Sequence, residues 1–115
     1  MRRYCFALDL KNDPNLIQKY IDHHQNVWPE VLESITDAGI IDMQIYNAGN
    51  RLFMIMETGD DFTPAGKAKA DQENPKVQEW EALMDTYQKW LPFASEGQKW
   101  VPMDQIFSLE QALNS

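Results

Sequence analysis

The amino-acid sequence predicts an α+β fold, a split-βαβ sandwich with its elements in the order βαββαβ. Three observations carry this reading. The chain opens on an alternating, β-compatible run, Arg3 to Leu10. Two further apolar, β-prone runs, Ile40 to Tyr46 and Arg51 to Thr58, flank the turn-forming Asn47-Ala48-Gly49-Asn50. Two amphipathic stretches, each opened by a capping residue followed by proline, fill the spaces between strands.

Asp13-Pro14 supplies an N-cap and a proline at the first helical position, so a helix is expected from Pro14 to about Asn26. Trp28-Pro29 breaks it. Val31, Leu32 and Ile35 then mark a short amphipathic segment that ends at Gly39. The hairpin follows from residues that tolerate the positive φ of a tight turn. Thr63-Pro64 starts a short helix rich in Ala and Lys. Asn74-Pro75 starts a longer one with apolar positions at Val77, Trp80, Met84, Tyr87 and Leu91, stopped by Pro92. After Ser95-Glu96-Gly97, Trp100 to Phe107 reads as a last strand, which Pro102 confines to an edge or a bulge.

Along Arg51–Thr58, Leu52, Met54 and Met56 point one way and Phe53 and Ile55 the other, so both sheet faces carry large apolar side chains. Helices cover only one of them in this topology. The second face is expected to pack sheet to sheet in a homodimer, or to be covered by the C-terminal tail, Ser108 to Ser115, through Leu109 and Leu113.

Composition bounds the function. A 115-residue chain with 43% hydrophobic residues can build the core of one domain, residues 1–115. No apolar run reaches the length of a spanning helix, and Met1-Arg2-Arg3-Tyr4 leads straight into a strand pattern, which makes the cytoplasm the default location. Eighteen acidic against ten basic residues give a net charge of −8, which repels phosphate backbones and anionic lipid heads, so neither nucleic acid nor a membrane is an expected partner. Lone Cys5 forms no intramolecular disulfide and no thiolate metal cluster, and reads as a small buried residue.

The chemistry concentrates in Tyr20-Ile21-Asp22-His23-His24-Gln25-Asn26-Val27-Trp28-Pro29-Glu30, which holds both histidines. On a helix Tyr20 and His24 share a face, while His23 is turned about 100° away. His24 can therefore line a pocket beside an aromatic ring, or pack as a partly exposed histidine next to core aromatics. Adjacent histidines lack the three- or four-residue spacing of helical metal ligands, so no metal is expected.

Tyr20-x-x-x-His24-x-x-x-Trp28-Pro29-Glu30, followed by Gly39, the Tyr46 strand, Arg51-Leu52-Phe53 and Val77-Gln78-Glu79-Trp80, resembles the L-rhamnose mutarotase family over nearly the whole chain. The resemblance implies a ferredoxin-like, dimeric α/β barrel that interconverts the α and β anomers of a deoxysugar without a cofactor, on a neutral monosaccharide. By this resemblance His24 is the catalytic proton donor, Tyr20 a substrate-contacting tyrosine, and Trp80 the first of two sugar-contacting tryptophans. Two positions depart from the pattern. Glu81 stands where the second tryptophan falls, and Met43 where a further substrate-contacting tyrosine falls. Both changes alter which sugar hydroxyls the walls bind, and the sequence is closer to the branch assigned to L-fucose. The same fold also serves cofactor-free oxygenases and non-catalytic ligand-binding modules, which the fold alone does not separate.

Overall fold

The computed structural model of the chain describes residues 1–114; Ser115, the last residue of the expected tail cover, lies outside the described residues. Strand β1 (Arg2–Leu10) runs antiparallel to β3 (Arg51–Thr58), with Leu8 opposite Leu52 and Cys5 opposite Ile55. Strand β2 (Ile40–Ala48) pairs with β3 as the expected hairpin, closed through Gly49 at φ 58°, while the Asn47 side-chain amide donates to the Gly49 and Arg51 carbonyls. A register shift between Ile40 and Asp42 leaves Ile41 outward and exposed.

Helices α1 (Pro14–His23), α2 (Pro29–Asp37), α3 (Pro64–Gln72) and α4 (Pro75–Asp85) complete the split-βαβ order, with α5 (Leu109–Asn114) at the end. Each of the capping residues read from the sequence performs that role. Asp13, Thr63 and Asn74 all accept from backbone N–H groups of the first turn, supplying partners that the helix itself cannot. Asp13→Ala is expected to cost about 0.5–2 kcal/mol, measurable as a lower urea midpoint with an unchanged slope.

The sheet order is β2-β3-β1-β4, with β4 (Gln88–Lys89) and β5 (Val101–Pro102) both pairing with the free edge of β1. Alternation sends Leu8, Leu10, Leu52, Met54 and Met56 toward the helices, where all five are buried. Two hydrophobic clusters result. One joins Leu10, Tyr20, Val31, Leu52, Trp80 and Met84; the other joins Ile40, Met54, Met56 and Phe62.

Four expectations about the elements and the tail need correction. Helix α1 stops at His23, three residues early: Trp28 precedes proline and is held extended at ψ 138°, so the chain must leave the helix before it. Helix α4 stops at Asp85, and Tyr87 and Leu91 are not helical. The Lys11 N–H takes the Tyr87 carbonyl and the Lys11 ammonium takes that of Thr86, while Gln88 and Lys89 pair with Leu10 and Asp9. The open edge of β1 outcompetes the helical period. The last strand is only Val101–Pro102; after the Met103 N–H reaches the Cys5 carbonyl the chain departs, leaving Ile106 97% exposed. The tail forms α5 with Leu109 and Leu113 exposed, so its apolar side chains are not buried as a cover.

The sheet face away from the helices carries Phe53 and Ile55, both half-buried, and Tyr46, which is exposed. Cys5 lies opposite Ile55 on this face and is half-buried instead of sitting in the core. Among the described residues, no helix is long and apolar enough to cross a membrane.

Candidate active site

Tyr20 lies on the inward face of α1, so its ring enters the core and is 3% exposed. His24 caps the same helix one turn later. Its imidazole lies against the Tyr20 ring, with centroids 4.4 Å apart. The Nδ1 atom is 2.8 Å from the Tyr20 carbonyl oxygen. A carbonyl only accepts, so Nδ1 carries the proton and Nε2 keeps its lone pair in the neutral ring. Burial is the largest influence on this imidazole and lowers its pKa below 6.5; the Tyr20 carbonyl pulls it up and neighbouring His23 pushes it further down. His24 is therefore a neutral base at neutral pH.

Helix α4 brings Trp80 into the same group. Its ring meets His24 edge to face at 5.5 Å and Trp28 at 5.2 Å. Trp28 stays at the bend between α1 and α2, as its proline-bound position implied. His23 is half-buried. Its Nε2 lies 3.1 Å from the Tyr87 hydroxyl, and its ring stands 6.4 Å from Trp80. The two histidines face different ways, as adjacent helical residues must, yet both border the Trp80 indole.

The floor beneath Tyr20 is Gln88. Its side-chain amide donates to the Tyr20 hydroxyl at 3.4 Å. Burial pushes the Tyr20 phenol up to about 12, with the Gln88 contact opposing, so this hydroxyl stays protonated at any physiological pH. Sequence reasoning missed Gln88 and the His23–Tyr87 contact for one reason. Both depend on α4 ending at Asp85, and a helical pattern continued to Leu91 assigns residues 87 and 88 the wrong faces.

The structure brings Tyr20, His24 and Trp80 together and sets Met43 and Glu81 apart from them. Met43 packs against the second cluster, beside Ile40, Met54, Met56 and Phe62. Glu81 follows Trp80 on α4, accepts from the amide of Gln78 one turn earlier on the same helix, and lies within the field of Asp71 and Lys67 of α3. Burial raises its pKa, while the charges of Lys99, Asp71, Lys67 and Asp85 act on it with mixed sign. A separate cavity of about 340 Å³ is lined by Ser34, Asp37, Thr63, Lys67 and Asn74 among others, with no member of the aromatic and histidine group on its wall. Among the described residues, no group of three or more His, Cys, Asp or Glu side chains is placed to hold a metal ion.

Residues 3–109 match the family model described as L-rhamnose mutarotase. The chain belongs to the L-rhamnose mutarotase family. Within it, the chain is 44% identical over 116 residues to an L-fucose mutarotase of Xanthomonas campestris pv. campestris, across 99% of this chain and 93% of the relative. It is 26% identical to an L-rhamnose mutarotase of Phocaeicola vulgatus, across 96% of this chain and all of that one. The crystal structure of an L-rhamnose mutarotase from Formosa agariphila shares the fold, with a TM-score of 0.69 and 20% identity over 95% of this chain and 99% of that one. Proteins of this family are named as carbohydrate isomerases, and the ferredoxin-like split-βαβ sandwich is the fold that this chain and the Formosa protein share.

Proposed function

We propose that this protein is a sugar mutarotase that interconverts the α and β anomers of a 6-deoxyhexose, with L-fucose preferred over L-rhamnose and His24 as the acid/base. The observation that carries the reading is the state of His24: a half-buried imidazole with Nδ1–H tied to the Tyr20 carbonyl, Nε2 left to exchange protons, and aromatic rings on two sides. Mutarotation opens and recloses a cyclic hemiacetal, so it needs no redox partner. In ring opening, Nε2 takes the proton of the anomeric hydroxyl and the bond from the anomeric carbon to the ring oxygen breaks. That oxygen keeps the electron pair and receives the proton from the imidazolium. The aldehyde carbon then rotates and the same steps run backward to close the ring on the other face. The proton-donor role that the resemblance implies for His24 is thus the second half of a relay that starts from a neutral base.

Trp80 offers an indole surface for the apolar side of the pyranose and its methyl group, and Tyr20 a neutral hydroxyl. Met43 and Glu81, where this chain departs from the family pattern, are proposed to set sugar preference. The preference for L-fucose is supported by the 44% identity to the Xanthomonas L-fucose mutarotase against 26% to the L-rhamnose enzyme. The half-covered open sheet face with Phe53, Ile55 and Tyr46 supports a sheet-to-sheet homodimer closed as an α/β barrel. A cytoplasmic location suits a substrate pool of free monosaccharide.

The test is saturation-transfer NMR of anomeric exchange on L-fucose and L-rhamnose near neutral pH. Acceleration of both sugars, larger for L-fucose, is expected. Exchange no faster than in buffer for either sugar overturns the reading in favour of a non-catalytic ligand-binding module of the same fold.

A further inference from the structure

Gln88 is 7% exposed and points from β4 toward the helices, opposite Leu10 in the ladder. One end of its carboxamide meets the Tyr20 hydroxyl at 3.4 Å; the other, Oε1, is buried and has no hydrogen-bond partner. Turning the amide over exchanges the two ends and still leaves one unpaired. A buried polar end without a partner carries the full desolvation penalty of that group, so its presence in an otherwise apolar cluster calls for a partner that arrives from outside the chain. Tyr20 has His24 against its ring and Gln88 at its hydroxyl. A single side chain, that of Tyr20, thus separates the Gln88 carboxamide from the His24 imidazole.

We infer that Gln88 is a substrate-binding, specificity-determining residue whose unpaired carboxamide end hydrogen-bonds one ring hydroxyl of the bound 6-deoxyhexose. The inference deepens the mutarotase reading and rests on it. Gln88 does not move a proton. It selects sugars by the hydroxyl they present, because a site built around a polar group rejects a ligand that leaves that group unpaired.

The experiment measures anomeric exchange by saturation-transfer NMR on intact protein as a function of sugar concentration. L-fucose is compared with its 2-deoxy, 3-deoxy and 4-deoxy analogues, on wild type and on Gln88→Met, which keeps side-chain volume and removes the amide. With wild type, one analogue is expected to show a KM raised about tenfold or more, the range for one lost buried hydrogen bond. Gln88→Met is expected to raise the KM for L-fucose by a similar factor with kcat little changed, and to stop distinguishing that analogue from L-fucose. Its Tm without sugar is expected to change little, since the variant deletes the unpaired end but also takes the Gln88 donor from the Tyr20 hydroxyl. A variant that keeps the wild-type analogue pattern, or loses stability with sugar preference intact, assigns Gln88 to structure and overturns the inference. Should the variant fail to fold, the wild-type panel decides alone, and equal KM values for L-fucose and all three analogues overturn it. Wild-type protein that accelerates no sugar removes the mutarotase reading and this inference with it, an outcome distinct from normal L-fucose exchange with an indifferent Gln88→Met.

Discussion

His24→Ala is expected to return anomeric exchange of L-fucose to the buffer rate, a loss of about 10²- to 10⁴-fold if general acid/base participation is the main catalytic contribution. The variant should keep the wild-type circular dichroism, because the imidazole sits at the end of α1 and is only half-buried. A pH profile adds a second reading. Burial lowers the pKa of His24 below 6.5, and the neutral form is the base, so exchange should rise with pH through that lowered value and level off above it. A rate that falls through the same range would mean that the imidazolium starts the reaction, reversing the relay. Stability should follow in step. Between the unfolded value of 6.5 and the lower folded one, the unfolded chain binds a proton that the native chain does not, so stability declines as pH falls through this window. Urea midpoints of wild type and His24→Ala at a series of pH values check this; the variant should lack that component of the decline.

Trp80→Ala carries the second large effect, on stability and binding together. Trp80 is 8% exposed and lies at ring-contact distance from His24, Trp28 and His23, so its removal leaves a cavity where α1, α2 and α4 meet. Truncating a buried aromatic costs about 3–5 kcal/mol. Set against the roughly 5–15 kcal/mol of a typical domain, that is about a fifth of the total or more and predicts a large drop in the urea midpoint. Trp80→Phe separates the roles. It keeps an aromatic face and much of the volume, so stability should largely return while the KM for sugar stays raised if the wider indole is the stacking surface. A KM equal to wild type in Trp80→Phe would make Trp80 a packing residue only.

The parts of the molecule that could be read from residues alone are those governed by local chemistry. Asp13-Pro14 and Asn74-Pro75 mark helix starts because an acceptor side chain and a missing N–H suit the first turn wherever it occurs. The Gly49 turn and the Tyr20–His24 spacing are equally local. What escaped depends on a distant strand. Where α4 ends is decided by the vacant edge of β1 and by Lys11, sixty or more residues earlier in the chain, and no period within 75–91 carries that information. The same error hid Gln88 and turned Tyr87 from a helical apolar position into the partner of His23. The surroundings of Glu81 escaped for a related reason: which side of α4 meets α3 is a packing outcome, and the reach of Gln78 to the Asp71 carbonyl beside it appears only once both helices are placed.

The split edge of β1 has a dynamic consequence. The chain leaves that edge after Lys89 and returns only at Val101, so two pairs at each end hold what an unbroken strand would hold along its length. Between them, Phe93 is exposed and Leu91 is the anchoring buried side chain. Elements tied by few backbone bonds and little buried apolar area open at a small fraction of the global unfolding free energy. In amide hydrogen exchange the residues of β4 and β5 should therefore lose protection well before the β1–β3 ladder, as a cooperative unit of their own. Gln88 sits inside that unit, so opening it uncovers this buried carboxamide while the three long strands stay closed. A sugar could thus enter and leave on the timescale of local fluctuations, and the protein would not have to loosen its central sheet.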